Sequence, residues 1–318
     1  MSSVHMVKTI SYLLACLVTL SAWAQGPAPN YSKAAIESST SWIDVDYVGD
    51  GIIGHKLDIF LPKSGKAPYP VVVTIYGSAW FSNSSKAACF NDGLGQTLLQ
   101  NGFAVVSINH RSSRDAIWPA QIHDVKAAIR FIRANAAAFS IDASWLGVTG
   151  FSSGGHLSTM AGVSSNAKSA TINGLAIDLE GNLGKFTKES SHVDAVVDWF
   201  GPTDFLIMDA CGSSFSHNEA KSPESSVIGG AIQENKDKVA LANPMNYVSK
   251  TTPPFLIFHG TKDPLVPPCE SQQLFEKLQK EGVKSQLVLV EGGGHGPGVM
   301  IDTYYAQMIA FFKSKPTK

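Results

Sequence analysis

Apolar and polar residues alternate over residues 41–48 and again over 56–61, the period-two pattern of strands with one buried face. Between these runs lies GDGIIG, residues 49–54, which fits the dinucleotide fingerprint GxGxxG letter for letter. That fingerprint needs a helix behind it. Here Asp50-Gly51 is a turn dipeptide and a strand pattern follows, so the segment reads as a hairpin connection. Residues 69–76 and 103–109 are unbroken apolar runs, as in parallel strands covered on both faces. Ile122, Val125, Ile129 and Ile132 recur at helical spacing in a helix expected over 121–139. Strands are then expected at 146–150, 195–200, 255–259 and 286–290, with helices at 154–163, 270–280 and 304–313. This order predicts a doubly wound, mostly parallel α/β sheet with an antiparallel start, flanked by helices. Two stretches, 164–191 and 203–253, carry no clear period. Both follow strand C-termini on one edge of the sheet, which makes them candidate walls over a site.

The first residues follow another rule. Lys8 precedes an apolar run from Ile10 to Leu20, and Ala22-Trp23-Ala24 offers small residues where a signal peptidase reads. The run is too short to span a bilayer. Residues 1–24 therefore read as a secretory signal cleaved after Ala24, leaving a single domain over 25–318. A lipoprotein signal ending at Cys16 is the alternative, disfavoured because the residues after Cys16 stay hydrophobic. Export leaves Cys89, Cys211 and Cys269, an odd number that suggests one disulfide and one unpaired thiol. Without CxxC spacing or clustered histidines these cysteines make a poor zinc site. The 318 residues carry a net charge of −1, which gives no electrostatic footprint for nucleic acid or an anionic membrane.

The candidate chemistry centres on LGVTGFSSGGH, residues 146–156. Its GxSxG, Gly150 to Gly154, is weak evidence as letters and strong evidence in context, because it joins a strand to a helix. A serine on such a turn stands above the sheet, and the following helix aims free N–H groups at it. A serine hydroxyl needs a base, and the base needs an orienting carboxylate. Asp263 lies in HGTKDP beyond the strand at 255–259, and His295 lies in EGGGHG beyond the last strand. Ser152, Asp263 and His295 thus sit at three strand ends in the chain order nucleophile, acid, histidine. Asp204, in GPTDF, is the alternative acid, otherwise a loop-pinning residue. His156 and His259 read as structural histidines, no motif surrounds His110, His123, His192 or His217, and Asp124 suits a helix N-terminus. Cys211 and Cys269 both lie in segments leaving the same sheet edge, which makes them the expected pair and Cys89 the remainder.

VVVTIYGSAWF, residues 71–81, places three small residues and then a tryptophan at the end of a buried strand. Here the chain resembles the α/β-hydrolase superfamily, in which an oxyanion motif reads HGGGW; Tyr76-Gly77-Ser78-Ala79-Trp80 stands in its place. DVKAAIRFIRANA, GFSSGGH, DWFGPTDF, HGTKDPLVP and GGGHG follow in the family's order over nearly all of the chain beyond residue 24. YGSAWF, EGNLG and GPTDF together look like bifunctional feruloyl and acetyl xylan esterases of plant-degrading bacteria. The resemblance implies an oxyanion hole built from the backbone N–H groups of Ser78, Ala79 and Ser153. Small residues suit donors that must come within about 3 Å of the oxyanion. Trp80 either walls the acyl group or plugs the core, and Trp118 is a candidate for lining a feruloyl slot. The resemblance further implies a secreted serine esterase acting through an acyl-enzyme, without metal or organic cofactor, on acylated polysaccharide or small esters. A prolyl-oligopeptidase-type peptidase shares GxSxGG, but no propeller repeats are present. A short-chain lipase fits the same triad less well, and a catalytically inactive binding protein that keeps the hydrolase fold fits it least.

Overall fold

The computed structural model describes residues 36–315, and the expected signal segment with Cys16 lies outside them. The alternating runs become strands β1 (Thr40–Asp46) and β2 (Lys56–Leu61), paired antiparallel with Trp42 opposite Ile59 and Val45 opposite Leu57. GDGIIG forms their connection, and only a single 3-10 turn, Ile53–His55, intervenes before β2. The glycine pattern therefore opens no α-helix.

The chain continues through β3 (Tyr69–Ile75), α1 (Leu94–Gln100), β4 (Ala104–Ile108), α2 (Ala120–Ala134), β5 (Ile141–Phe151) and α3 (Ser153–Val163). A small hairpin follows, β6 (Ser169–Ile172) with β7 (Leu175–Asp178), then β8 (Ala195–Trp199) and two short helices, α4 (Pro223–Ile228) and α5 (Lys236–Ala242). The chain closes with β9 (Phe255–Gly260), α6 (Cys269–Lys280), β10 (Ser285–Val290) and α7 (Asp302–Lys313). The main sheet has the order β1-β2-β4-β3-β5-β8-β9-β10. β2 is antiparallel to β1 and β4 on either side, and β4, β3, β5, β8, β9 and β10 run parallel to one another.

Two apolar layers cover the sheet, as a parallel sheet requires. On one face Ile122, Val125 and Ile129 of α2 pack with Leu157 and Met160 of α3 and Leu274 of α6. On the other, Leu94 and Leu98 of α1 join Tyr305, Met308 and Phe312 of α7. The 164–191 stretch is pinned to α2 by charge: Lys126 and Arg130, both fully buried along their length, reach Glu180, whose carboxylate also accepts from Ser191 Oγ at 2.7 Å. Pairing with Glu180 offsets much of the cost of burying the two cations.

Several boundaries differ from the pattern-based expectation. α2 stops at Ala134, fifteen residues long, although apolar residues continue to Phe139. The Asn135 side chain turns back onto the Phe131 carbonyl at 2.8 Å and helps close the helix end. β5 starts five residues early because Ile141 and Asp142 pair with Tyr69 and Pro70. The pattern does not foretell α1, α4, α5 or the β6–β7 hairpin; at four to seven residues each, none is long enough to display a period.

Cys211 and Cys269 are bonded, tying the segment after β8 to the start of α6 across 58 residues of sequence. Cys89 is unpaired and buried beside Ser107, and burial pushes its thiol up to about 11. Closing a loop of that size contributes on the order of 4 kcal/mol in the chain-entropy account. Replacing both half-cystines with alanine is expected to lower the urea midpoint markedly, and reductant should do the same to the native protein. A midpoint unmoved by either change would show that the crosslink leaves stability untouched.

Candidate active site

The elbow between β5 and α3 places the nucleophile. Ser152 has φ 56° and ψ −126°, a conformation that side-chain-bearing residues avoid, and its N–H is held by the Trp199 carbonyl at 2.9 Å. A Cβ on Gly150 would come within 2.3 Å of the Gly154 carbonyl oxygen, and one on Gly154 within 2.2 Å of that of Ile75. No side chain fits in either gap, so the two outer glycines of GxSxG are steric requirements of the turn.

The partners arrive from β9 and β10. His295 Nε2 lies 2.9 Å from Ser152 Oγ, and its Nδ1 lies 2.7 Å from Asp263 Oδ2. The other Asp263 oxygen accepts the N–H groups of Leu265 and Val266 at 2.9 and 3.0 Å. Burial pushes the Asp263 carboxyl up, but the hydrogen bonds and charge of His259 and His295 overcome it and hold the group well below the usual carboxylate range. An ionised acid against Nδ1 fixes the imidazole tautomer and leaves Nε2 able to accept the serine proton. Phe200 backs the His295 ring, with centroids 4.6 Å apart. Asp204, the alternative acid, instead accepts from the Leu206 N–H and has no bond to His295.

Two residues around the acid are ones that sequence reasoning treats as background or misses. His259 is fully buried, bonded through Nδ1 to Ser271 Oγ at 2.6 Å and through Nε2 to the Val266 carbonyl at 2.8 Å, with Asp263 Oδ2 at 3.5 Å. Its spacing four residues ahead of Asp263 at a strand end is the available signal. Glu270 carries no motif. Its Oε2 accepts the N–H groups of Thr203 and Asp204, both at 2.7 Å, and so holds the GPTDF corner beneath the site. Burial pushes the Glu270 carboxyl up to about 7.

The loop after β3 shows why small residues follow that strand. What approaches Gly77 is the elbow itself: a Cβ there would meet the Phe151 carbonyl oxygen at 2.6 Å and Ser152 Cβ at 2.8 Å. Ala79 and Trp80 then take positive φ values of 51° and 57°. This strained turn is held by Phe81 N–H on the Ser78 carbonyl, Ser113 N–H on the Trp80 carbonyl, and Ser82 N–H on Ser78 Oγ. Tyr76, where the family motif has histidine, stacks on His110 at 4.8 Å and donates its hydroxyl to the Ser82 carbonyl at 2.8 Å. One expected oxyanion donor is already engaged, since Ser78 N–H donates to Ser153 Oγ at 2.9 Å.

Both tryptophans expected to bind substrate are buried. Trp80 is only 1% exposed and packs on His156 and Phe205, the position of a core plug. Trp118 is also buried; its Nε1–H donates to the Leu241 carbonyl at 3.0 Å. It edges a crevice of about 260 Å³ with Ile117, Ile177, Ile228 and Leu241, and no triad residue lines that crevice. Indoles are large enough that the core claims both, which composition alone does not reveal. His156 lies between these rings, bonded to the Ala242 carbonyl, and burial lowers its pKa to about 4.

A family model described as BD-FAE matches residues 57–278. Among curated proteins, Esterase LipQ of Mycobacterium tuberculosis is 28% identical over 289 residues, covering 89% of this chain and 62% of its own length. Esterase LipC of the same organism is 29% identical over 240 residues, 72% of this chain and 53% of its own length. The chain thus spans little more than half the length of these curated relatives. Among solved structures, a truncated carbohydrate esterase from gut microbiota superposes with a TM-score of 0.85 at 49% identity, over 89% of this chain and 98% of that one. A bifunctional GH43-CE of Bacteroides eggerthii superposes at 0.82 with 50% identity, over 86% of this chain and 35% of that one.

Ser152→Ala is expected to lower turnover by several orders of magnitude with thermal stability nearly unchanged. Asp263→Asn should cost roughly 10³–10⁴-fold in kcat and Asp204→Asn far less; the reverse ranking would move the acid to the earlier strand. Glu270 predicts a pH effect on stability. The unfolded chain releases this proton near 4.5 and the folded chain holds it to about 7, so across that window stability falls as pH rises. The Tm of Glu270→Gln should therefore gain on the native protein from pH 4.5 to 7. A constant gap would show that the carboxyl keeps its ordinary value in the fold.

Proposed function

We propose, on the premise that this chain belongs to the BD-FAE family, that it is a serine esterase removing acetyl and feruloyl groups from plant polysaccharide. The observation that carries the reading is the continuous hydrogen-bonded line Ser152–His295–Asp263 at a strained strand-to-helix elbow. In the proposed reaction Ser152 Oγ attacks the ester carbonyl while His295 Nε2 takes its proton. Charge on the carbonyl oxygen is met by the N–H groups of Ser153 and Ala79. Collapse of the tetrahedral intermediate expels the sugar hydroxyl, which receives the proton from His295, and Ser152 keeps the acyl group. Water then repeats the sequence and frees the acid.

Relatives called carbohydrate esterases, at about half sequence identity, support a sugar-borne ester. A net charge of −1 gives the chain no electrostatic pull toward anionic lipid. We place the enzyme in the periplasm or the cell exterior, with a mature chain starting at Gln25. The signal-like leader and the Cys211–Cys269 bond support an oxidising compartment.

A panel of acetylated xylan, methyl ferulate and p-nitrophenyl esters of rising chain length tests the substrate. Acetyl esters should be cleaved well, feruloyl esters measurably, and acyl chains beyond about eight carbons poorly, as expected of an enzyme selecting small acyl groups on sugars. Fast hydrolysis of emulsified long-chain triglyceride, or inertness toward both acetyl and feruloyl esters, would overturn this reading.

A further inference from the structure

The bond from Ser78 N–H to Ser153 Oγ removes one backbone donor from the expected oxyanion hole and sets a side-chain hydroxyl beside it. Ser153 is the first residue of α3, immediately after the nucleophile, and is 1% exposed. Its hydroxyl accepts one hydrogen bond and so still has its own hydrogen to donate. The other two hydroxyls of α3 have acceptors: Ser158 Oγ donates to the Gly154 carbonyl at 2.8 Å and Thr159 Oγ1 to Asp198 Oδ2 at 3.2 Å. Ser153 has none among the described residues. Ser158 turns back on a helical carbonyl four residues earlier, whereas Ser153 stands at the helix start and has no such carbonyl behind it. Its position follows from the 78–80 turn, whose strained backbone is braced from Tyr76, Phe81 and Ser113 and aims Ser78 N–H at this oxygen.

We propose that the Ser153 hydroxyl is itself a catalytic donor to the oxyanion, relaying the Ser78 N–H: Ser78 N–H to Ser153 Oγ, and Ser153 Oγ–H to the carbonyl oxygen of the tetrahedral intermediate. The proposal rests on Ser152 being the nucleophile. The N–H group locks the hydroxyl as an acceptor on one side, so its hydrogen is directed away from Ser78. A hydroxyl that accepts a bond becomes a better donor, and its bond to an oxyanion is shorter and stronger than one to a neutral carbonyl. The gain therefore grows as charge develops, which is the condition for accelerating the step.

Removing one oxyanion donor elsewhere costs about 10²–10³-fold in kcat, and here a Ser78 N–H released by Ser153→Ala would recover part of that. Ser153→Ala should therefore lower kcat on p-nitrophenyl acetate by roughly 10–100-fold with KM and Tm little changed, and Ser153→Thr should restore most of it. In a crystal structure of the full enzyme labelled on Ser152 with paraoxon, Ser153 Oγ should lie within about 3.2 Å of the phosphoryl oxygen. Undiminished kcat in Ser153→Ala, or a labelled structure in which Ser153 Oγ bonds Ser78 N–H alone, overturns the relay and leaves the esterase standing. Failure of paraoxon to label Ser152, with activity surviving in Ser152→Ala, overturns both.

Discussion

The close approach of the β5–α3 elbow to the end of β3 is the constraint on which the rest of the site depends. Gly154 lies so near the Ile75 and Tyr76 carbonyls, and Gly77 so near Phe151 and Ser152, that the two turns are built as one packed unit. Ser152 holds its unfavourable backbone angles because this contact and the bond to the Trp199 carbonyl leave no room to relax. Ala79, Trp80 and Phe200 share the positive-φ region, so half of the eight such non-glycine residues described in the fold belong to the loops around the triad. Each costs of order 1–3 kcal/mol, and the surrounding core and sheet have to over-determine them. Buried Trp80 fits that need: its ring anchors the strained turn from below.

The acid side is organised differently. Asp263 is fixed by two backbone N–H groups, backed by buried His259, and Glu270 holds the facing GPTDF corner through two more backbone N–H groups. The disulfide at Cys269 ties the same helix start to the segment after β8. The loops after β8 and β9 are thereby fastened to each other beside His295, whose own loop after β10 is rich in glycine. A ring that must move a proton over less than 3 Å gains from a floor this rigid.

Period and order along the chain are enough for the sheet, the antiparallel start, and the placing of Ser152, Asp263 and His295 at three strand ends, because a buried strand and an amphipathic helix write their burial into residue spacing. The hairpin reading of GDGIIG also follows from what comes next in the chain. Short elements escape because fewer than about two turns show no period, and α2 reads too long because its apolar tail imitates one. What only the tertiary structure decided depends on distance between residues far apart in sequence. Trp80 and Trp118 are pocket candidates in the sequence because an aromatic residue beside a motif looks the same whether it faces a ligand or a core. Ser78 and Ser153, 75 residues apart, count there as two independent backbone donors, and their bond to each other exists only once β3 and α3 pack. Sequence carries the identity and spacing of chemical groups, whereas which group satisfies which is settled by packing, since a buried donor and its acceptor meet only in three dimensions.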